Sequence, residues 1–323
     1  MEKRDLNSIP GMIEKGEQDL LIEHASAIQL NDEDVIIEYG CFFGRSTNCI
    51  IEGLRLNKTY IKSNKFILYD SFQCKKDNFF SIHVNQYAKK YNVDHLIIEK
   101  EGGVIDFRKI LEHYTLPTEI TLEINQCNLH KIKHINKPIA LMHIDAPKYY
   151  QEFKYILDNH FIDLKLGSII VFQDFFYHWS ATLVACIEIM FQNGFLAFNL
   201  SKASSLSVTV IKKFNMSDIN AIDVSMKSTN ITDLIEKIIQ RIIDTHQSNI
   251  DRIHQFLPRL TLCNVQYLYE MGNIPDAMRH LMNYIINYQT PNIVVYTDLF
   301  DLAQYGFSRR QFYQLDHTMD DLK

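Results

Sequence analysis

The feature that most constrains the fold of this chain is a short apolar segment, 35–39, that carries an acid near its end and is followed by two glycines. The acid is Glu38, and the glycines are Gly40 and Gly44, after which a helix-compatible segment begins. This pattern is typical of a buried parallel strand, a tight turn and the N-terminus of a helix. Glycine lets the backbone turn sharply and approach a ligand closely, and the N–H groups at a helix start attract polar or anionic groups. The segment therefore predicts a nucleotide-type binding site around the turn.

Strand-like and helix-like segments alternate along the first two thirds of the chain. The apolar patterns predict strands over 35–39, 65–69, 95–99, 139–144, 168–172, 195–199 and 206–212, and they allow a short strand near 120–124. Helices are predicted over 16–30, 45–56, 79–91, 104–113, 149–163 and 180–193. This alternation predicts an α/β fold, a Rossmann-like seven-stranded mostly parallel sheet with helices on both faces. The short connection between the last two strands requires that they pair antiparallel.

The pattern changes after Phe214, where apolar residues follow helical spacing. Helices are predicted over 231–243, 264–271 and 275–286. The sequence therefore predicts two regions, a ligand-binding domain over 1–214 and a helical C-terminal region over 215–323. The segment 267–284 resembles a single tetratricopeptide unit, but no second copy follows it. We expect the C-terminal helices to pack on the first domain or to form a homo-oligomer.

The composition argues against several classes of function. The net charge is -6 and no block of lysine and arginine occurs, so we expect no nucleic-acid binding. No apolar run reaches about 18 residues, and the first residues lead into no apolar segment, so we expect neither a membrane span nor a signal peptide. The six cysteines are scattered without a Cys-x-x-Cys pair, as is typical of reduced thiols in a cytoplasmic protein.

Four acids share the position directly at the end of an apolar strand. They are Glu38, Asp70, Asp145 and Asp174. In open α/β sheets, ligands bind outside the carboxyl ends of the strands, and clustered acids repel one another unless ligand donors or a cation lie among them. Asp70 ends the second strand, where a carboxylate can accept hydrogen bonds from both hydroxyls of a ribose. An adenosine-containing ligand is therefore expected.

Four motifs in order resemble a known family. They are Glu38-x-Gly40-x-x-x-Gly44-x-Ser46-Thr47, Tyr69-Asp70-Ser71-Phe72, His143-Ile144-Asp145-Ala146, and the segment from Leu166 through Gln173-Asp174 to Phe175. With these motifs, residues 10–213 resemble the class I S-adenosylmethionine-dependent methyltransferases. Within that class they look most like the macrocin-type sugar O-methyltransferases and their cephalosporin-hydroxylase-like relatives.

The resemblance implies that S-adenosylmethionine is the cofactor and assigns residues to it. The turn from Gly40 to Gly44 would hold its methionine part with Glu38 near the amino group, and Asp70 would hold the ribose. Glu101 and Gly102, at the end of the third predicted strand, would lie beside the adenine. The full implied set is Glu38, Gly40, Phe42, Gly44, Ser46, Thr47, Asp70, Ser71, Glu101, Gly102 and Asp145.

The resemblance also implies a Mg²⁺ ion that gathers the hydroxyls of a sugar. The matching positions are Asp145, Gln173 and Asp174. This chain departs from the family pattern, because Pro147 stands where a second acid is usual, Lys148 where a histidine is frequent, and Gln173 where an acid is usual. Two carboxylates and one amide oxygen make a weaker magnesium site than three carboxylates.

The reaction that the resemblance implies is O-methylation of a sugar or another polyhydroxylated small molecule. Such an enzyme must align the acceptor oxygen with the S–CH₃ bond and help remove its proton. The residues assigned to catalysis are His178, which lies in an aromatic segment, together with Asp145 and Lys148. His143 is a weaker candidate base, because it lies inside an apolar strand where a hydrogen-bonded core histidine is usual.

Other functions compete with this interpretation. One is a catalytically weak protein that binds the cofactor and whose helical tail binds a partner. Another is a short-chain dehydrogenase, since the glycine turn is followed by a Tyr150-x-x-x-Lys154 pair. Ser46 replaces the third glycine of that family, however, and no serine of the catalytic type precedes Tyr150 at the expected distance. A hydroxylase of the related branch is a further alternative.

Overall fold

The described chain divides into two compact units. A computed structural model describes residues 5–177, 179–245 and 250–287. The first unit lies within Met1–Pro147, Gln151–Gln173 and Phe195–Ile219, and the second within Lys148–Tyr150, Asp174–Gly194 and Asn220–Lys323. The domain boundary after residue 214 stays a prediction, because this division follows contacts and takes a further segment, 174–194, into the helical unit.

The elements alternate as the sequence predicts. Up to residue 126 they are α1 (Lys15–Ala27), β1 (Val35–Tyr39), α2 (Arg45–Leu56), β2 (Lys65–Asp70), β3 (Gln73–Lys75), α3 (Phe79–Lys90), β4 (Ile98–Lys100), β5 (Val104–Asp106), α4 (Arg108–Thr115) and β6 (Thr121–Gln126). The rest are β7 (Ile139–Ile144), α5 (Tyr150–His160), β8 (Leu164–Phe172), α6 (Ala181–Gln192), β9 (Leu196–Lys202), β10 (Ser205–Val210), α7 (Met216–Ser228), α8 (Ile231–Thr245), α9 (Ile250–Glu270) and α10 (Ile274–Asn287).

A seven-stranded sheet forms the centre of the first unit. Its strand order is β6-β2-β1-β7-β8-β10-β9. β10 pairs antiparallel with both β8 and β9, and the other described pairs of this sheet are parallel. β1 and β7 are buried along their whole lengths, as expected of central parallel strands covered on both faces. The mostly parallel sheet with one antiparallel strand near its end is therefore confirmed.

The membership of the sheet differs from the prediction at one edge. The third predicted strand, 95–99, is wrong as a sheet strand, because β4 pairs with β5 in a separate antiparallel sheet of order β3-β5-β4. The edge position belongs instead to β6, which pairs parallel with β2. The helix predicted over 104–113 is also shifted, since β5 occupies its first residues. All three residues of β4 are exposed, so this segment does not enter the core although it contains an apolar run.

Phenylalanines pack beneath the turn that follows β1. The rings of Phe43 and Phe107 meet edge to face with centroids 5.6 Å apart, and Phe72 contacts the same ring at 6.2 Å. All three side chains are fully buried. Aromatic pairs of this kind contribute roughly 0.5–1.5 kcal/mol beyond the area that they bury, so the turn is built on a rigid base.

The second unit is helical, with an ion pair in its interior. Arg241 on α8 donates through Nε and Nη2 to the two carboxylate oxygens of Glu188 on α6, both at 2.8 Å. Glu188 is buried, so this two-bond pairing keeps its charge from being left unpaired. The predicted helices of the C-terminal region are confirmed as far as residue 287, and the remainder lies outside the described residues. Within the described residues, no helix combines the length and the apolar character needed to cross a membrane. The homo-oligomer stays a prediction.

Candidate functional site

The turn between β1 and α2 has the backbone shape that the two glycines predict. Gly40 has a φ of 84° and Gly44 a φ of 98°, and Phe42 between them has a φ of 46°. A Cβ atom at residue 40 would lie 2.7 Å from the backbone nitrogen of Ala146, which belongs to the chain leaving β7. Both the φ angle and this close approach require glycine at residue 40.

Asp70 is held by two backbone N–H groups, one in that turn and one directly after β2. The N–H of Phe42 donates to Asp70 Oδ2 at 2.9 Å, and the N–H of Phe72 donates to Oδ1 at 2.7 Å. Removal of the carboxylate from water raises the pKa of Asp70 to about 6; the two N–H donors act against this shift, and the charges of Asp145 and Glu38 add to it. A carboxylate has further lone pairs, so this fixed group can still accept hydrogen bonds from ligand hydroxyls.

Glu38 belongs to a buried network that joins three strands. Its Oε2 accepts a hydrogen bond from the Thr47 hydroxyl at 2.6 Å, and its Oε1 lies 3.0 Å from His143 Nδ1. His143 Nε2 lies 3.0 Å from Gln173 Oε1. Glu38, His143 and Gln173 are all buried. The network therefore fixes the position of Glu38 beneath the turn.

The network favours a protonated His143. Burial alone would lower the pKa of His143, but the hydrogen bond and charge of Glu38 outweigh it, and Asp145 and Gln173 act in the same direction, so the pKa is raised above its ordinary value. The two ring nitrogens lie 3.0 Å from Glu38 Oε1 and 3.0 Å from Gln173 Oε1, so both are engaged inside the protein. The sequence-based interpretation of His143 as a hydrogen-bonded core histidine agrees with this geometry.

A small cavity lies beside the turn in the first unit. Four residues assigned to the cofactor line it: Gly40, Phe42, Ser46 and Asp145. The N-terminal residues 11–13 and Arg45 line the same cavity. Arg45 Nε donates to the carbonyl of Ile9 at 2.6 Å and so holds the N-terminal segment there.

Sequence reasoning assigned no role to this N-terminal segment. The only local signal was the Pro10-Gly11 pair, which marks a turn before α1 but not where that turn lies.

The other residues assigned to the cofactor occupy different places. Thr47 binds Glu38, as described, and Ser71 donates from its hydroxyl to the carbonyl of Gln73 at 3.2 Å. Glu101 and Gly102 are exposed in the turn between β4 and β5, which belong to the three-stranded sheet. Their contact with adenine stays a prediction, because these residues do not follow a strand of the seven-stranded sheet.

Two of the three residues assigned to Mg²⁺, Gln173 and Asp174, are engaged in other contacts. Gln173 Oε1 faces His143, and Asp174 Oδ2 lies 2.7 Å from the ammonium of Lys148, within the second unit. Asp174 has a φ of 56°, which is uncommon for a residue other than glycine and frequent at functional sites. Among the described residues, no three histidine, cysteine or acidic side chains are grouped so that they could hold a metal ion. His178, the first candidate base, lies outside the described residues.

Comparison with known proteins finds similarity at the level of structure only. No model of a protein family matches the chain, and no curated protein matches it. Similar solved structures include CalS11, a TDP-rhamnose 3'-O-methyltransferase in calicheamicin biosynthesis, which is 15% identical over 59% of this chain and 76% of CalS11 with a TM-score of 0.38.

Two further structures are similar to the same extent. The O-methyltransferase NovP is 13% identical over 62% of this chain and 82% of its own, with a TM-score of 0.43. The SAH-bound methyltransferase PaMTH1 of Podospora anserina is 15% identical over 62% of this chain and 80% of its own, with a TM-score of 0.39. Because these TM-scores lie below 0.5, we conclude nothing about the function of this chain from them.

Proposed function

We propose that this protein is an S-adenosylmethionine-dependent methyltransferase. The observation that carries the proposal is the position of the turn between Gly40 and Gly44. It follows β1 at the place where the strand order reverses, since the chain passes from β1 to β2 and β6 on one side and then to β7 on the other. Ligands of open α/β sheets bind at such a reversal, outside the carboxyl ends of the strands.

The residues around the turn fit an adenosyl ligand. Asp70 is oriented by two backbone N–H groups and can accept hydrogen bonds from the ribose hydroxyls. Ser46 and Asp145 line the cavity next to the turn, where polar groups of the methionine part would bind. Glu38 has both carboxylate oxygens engaged within the protein, so we propose that it orients Thr47 and the start of α2 and does not itself bind the amino group.

The proposed acceptor is a hydroxyl group of a sugar or another polyhydroxylated small molecule. When bound, the cofactor supplies an activated methyl group on sulfur. The protein has to orient the acceptor hydroxyl and receive its proton, for which His178 and Asp145 stay the proposed residues. Lys148, the third residue assigned to catalysis, has its ammonium 2.7 Å from Asp174 Oδ2. None of the described cysteines forms a disulfide, which supports the proposal that the protein acts in the cytoplasm.

The dehydrogenase alternative loses support in the structure. The Tyr150 hydroxyl donates to Asp223 Oδ1 at 2.8 Å, and Lys154 Nζ lies 2.7 Å from Asp158 Oδ1. Each member of the Tyr150-x-x-x-Lys154 pair is therefore held by an acid of its own, whereas a catalytic pair would need both groups at the substrate. A protein that binds the cofactor without transferring its methyl group remains the second candidate, and the experiment distinguishes it.

Two measurements test the proposal in sequence. We expect S-adenosylmethionine and S-adenosylhomocysteine to raise the melting temperature of the protein and to bind in calorimetry, and NADPH to do neither. Incubation with labelled methyl donor and a panel of saccharides and lipid-linked sugars should then label one class of acceptor. Binding without transfer to any acceptor would support the binding-only alternative. A melting temperature raised by NADPH alone would contradict the proposal.

A further inference from the structure

Two of the three positions that the resemblance assigns to a magnesium ion are already paired with basic side chains of the protein. In the first unit, Gln173 Oε1 lies 3.0 Å from His143 Nε2. In the second unit, Asp174 Oδ2 lies 2.7 Å from Lys148 Nζ. We propose that the ammonium of Lys148 takes the place of a divalent cation at Asp174, and that this protein binds no Mg²⁺ there.

Gln173 is unavailable as a metal ligand while it serves the buried network. Its side chain and that of His143 are buried, with 4% and 1% of their surfaces exposed. If the amide turned toward a metal, His143 Nε2 would lose the partner that now lies 3.0 Å away inside the protein. A buried polar atom without a partner is unfavourable, and native proteins almost always avoid it. The amide at residue 173 is thus explained by the histidine, without any metal.

Asp174 is paired in a geometry that the backbone holds. The side chains of Lys148 and Asp174 are 16% and 22% exposed, so water screens this ion pair only in part. The left-handed backbone conformation of Asp174 sets the direction of its carboxylate. The Ser180 hydroxyl donates to the carbonyl of the same residue at 3.1 Å, which fixes the peptide as well. The carboxylate therefore meets the ammonium as part of a defined local structure.

A divalent cation and the ammonium cannot share this carboxylate. Two positive charges at the same oxygen atoms repel, and Mg²⁺ gives up its water ligands reluctantly and prefers several carboxylates. Two neighbouring positions point the same way. Pro147 stands where the family pattern usually has a second acid, and Lys148 stands where it frequently has a histidine. Lys148 then acts as a fixed cation and a positioning residue for Asp174, and not as the general base.

This inference deepens the proposed function and rests on it for the identity of the reaction. Counting the bound ions tests the inference without an activity assay. The full chain would be freed of metal with a chelator and titrated with Mn²⁺, and the unbound ion would be followed by electron paramagnetic resonance. We expect the unaltered protein to leave Mn²⁺ free up to about 1 mM, a concentration at which even weak oxygen-ligand sites fill. We expect Lys148→Ala, which removes the ammonium from Asp174, to take up more Mn²⁺ than the unaltered protein at the same total concentration, and Asp174→Asn in that background to abolish the difference.

Matched variants keep the test independent of folding. Lys148→Gln serves if Lys148→Ala does not fold, and Lys148→Arg should gain no ion because it keeps the charge. Lys154→Ala is the control, since Lys154 pairs with Asp158 at 2.7 Å on α5 and its removal should create no metal site. One ion bound per unaltered chain and lost in Asp174→Asn would overturn the inference. So would folded Lys148→Ala and Lys148→Gln proteins that bind no ion.

An activity assay separates this inference from the proposed function. If methyl transfer is found, we expect excess EDTA to leave its rate unchanged. If no acceptor is methylated, the proposed function fails, and the ion counts still decide whether Lys148 stands in the place of a cation.

Discussion

Two carboxylates at the ends of neighbouring strands are held by different kinds of donor. Glu38 accepts from the side chains of Thr47 and His143, whereas Asp70 accepts from two backbone N–H groups. Because backbone donors cannot rotate away, the orientation of Asp70 depends directly on the conformation of the turn. Asp70 is the carboxylate that a ligand can reach, since Glu38 has none of its surface exposed.

We expect the affinity for S-adenosylhomocysteine to depend on pH through Asp70. The folded-state pKa of about 6 lies above the ordinary value of 3.8, so between these values the carboxyl group is protonated in the folded protein. Below about pH 6 it loses its charge and accepts hydroxyl donors less well, so affinity should fall as pH falls. The same shift means that Asp70 contributes stability at low pH that is lost as pH rises through 6.

Calorimetry of S-adenosylhomocysteine between pH 5 and 8 would measure this dependence. Asp70→Asn should weaken binding roughly 10- to 100-fold at pH 7.5, the range expected for losing a hydrogen bond to a charged group. The variant should also flatten the pH profile. An unaltered protein whose affinity is the same at pH 5 and pH 7.5 would contradict the assignment of Asp70 to the ribose.

The contacts of His143 with Glu38 and Gln173 could not be predicted from single residues of the sequence. The strand ends and their acids follow from apolar runs that stop at polar residues, a local pattern. The contact between Glu38 and His143 depends on the register of β1 with β7, which places these two residues side by side. Register is set by packing between segments far apart in the chain, so the sequence alone predicts Gln173 as a metal ligand and does not identify its contact with His143.

At the scale of elements, Gly40 in the turn after β1 is more constrained than a glycine elsewhere that has a similar backbone conformation. Gly40 and Gly167 have φ angles of 84° and 83°. A Cβ atom at Gly40 would meet the backbone nitrogen of Ala146 at 2.7 Å, but one at Gly167 would meet nothing within 4 Å. A substitution by alanine would therefore strain the backbone to a similar extent at both positions. Only at residue 40 would the new Cβ atom also collide with the backbone of Ala146.

We expect Gly40→Ala to lower the free energy of unfolding more than Gly167→Ala does. The difference should be on the order of 1–3 kcal/mol, as for other overpacked sites. Urea denaturation of both variants measures it, and calorimetry should show that only Gly40→Ala loses S-adenosylhomocysteine binding. Equal losses of stability in the two variants would show that the approach to Ala146 does not constrain the turn.

The elements that the sequence predicts best are those whose patterns are local and strong. The central strands and α2 have continuous or strictly spaced apolar residues, and their positions are confirmed. β6 alternates polar and apolar residues at the edge of the sheet, and the apolar run near 95–99 is the stronger local signal. Pairing with β2 decides which of the two segments joins the sheet, and local pattern does not show this pairing. The sequence therefore favours 95–99 where the structure has β6.

At the scale of the whole molecule, every described strand lies in the first unit, and so do the turn, Asp70 and the cavity. The described part of the second unit is helical and contains the ion pair between Glu188 and Arg241. A ligand at the proposed site should therefore act first on the stability of the first unit.

We expect S-adenosylhomocysteine to slow amide hydrogen exchange most strongly over 35–44 and 66–72. These segments contain the turn and Asp70, and binding protects the amides that a ligand stabilises against local opening. Mass spectrometry of peptides with and without ligand measures the change, with α8 as the internal reference. Slowing that is greatest in α8 would place the ligand outside the proposed site.

The buried ring of His143 makes three positions chemically interdependent. One imidazole contacts polar side chains on β1 and directly after β8, so replacing residue 38, 143 or 173 alone by an apolar residue would leave a buried polar atom without its partner. Substitutions that keep the fold must then come in compatible sets. Strands separated by more than a hundred residues in the chain thus share a single requirement on their side chains.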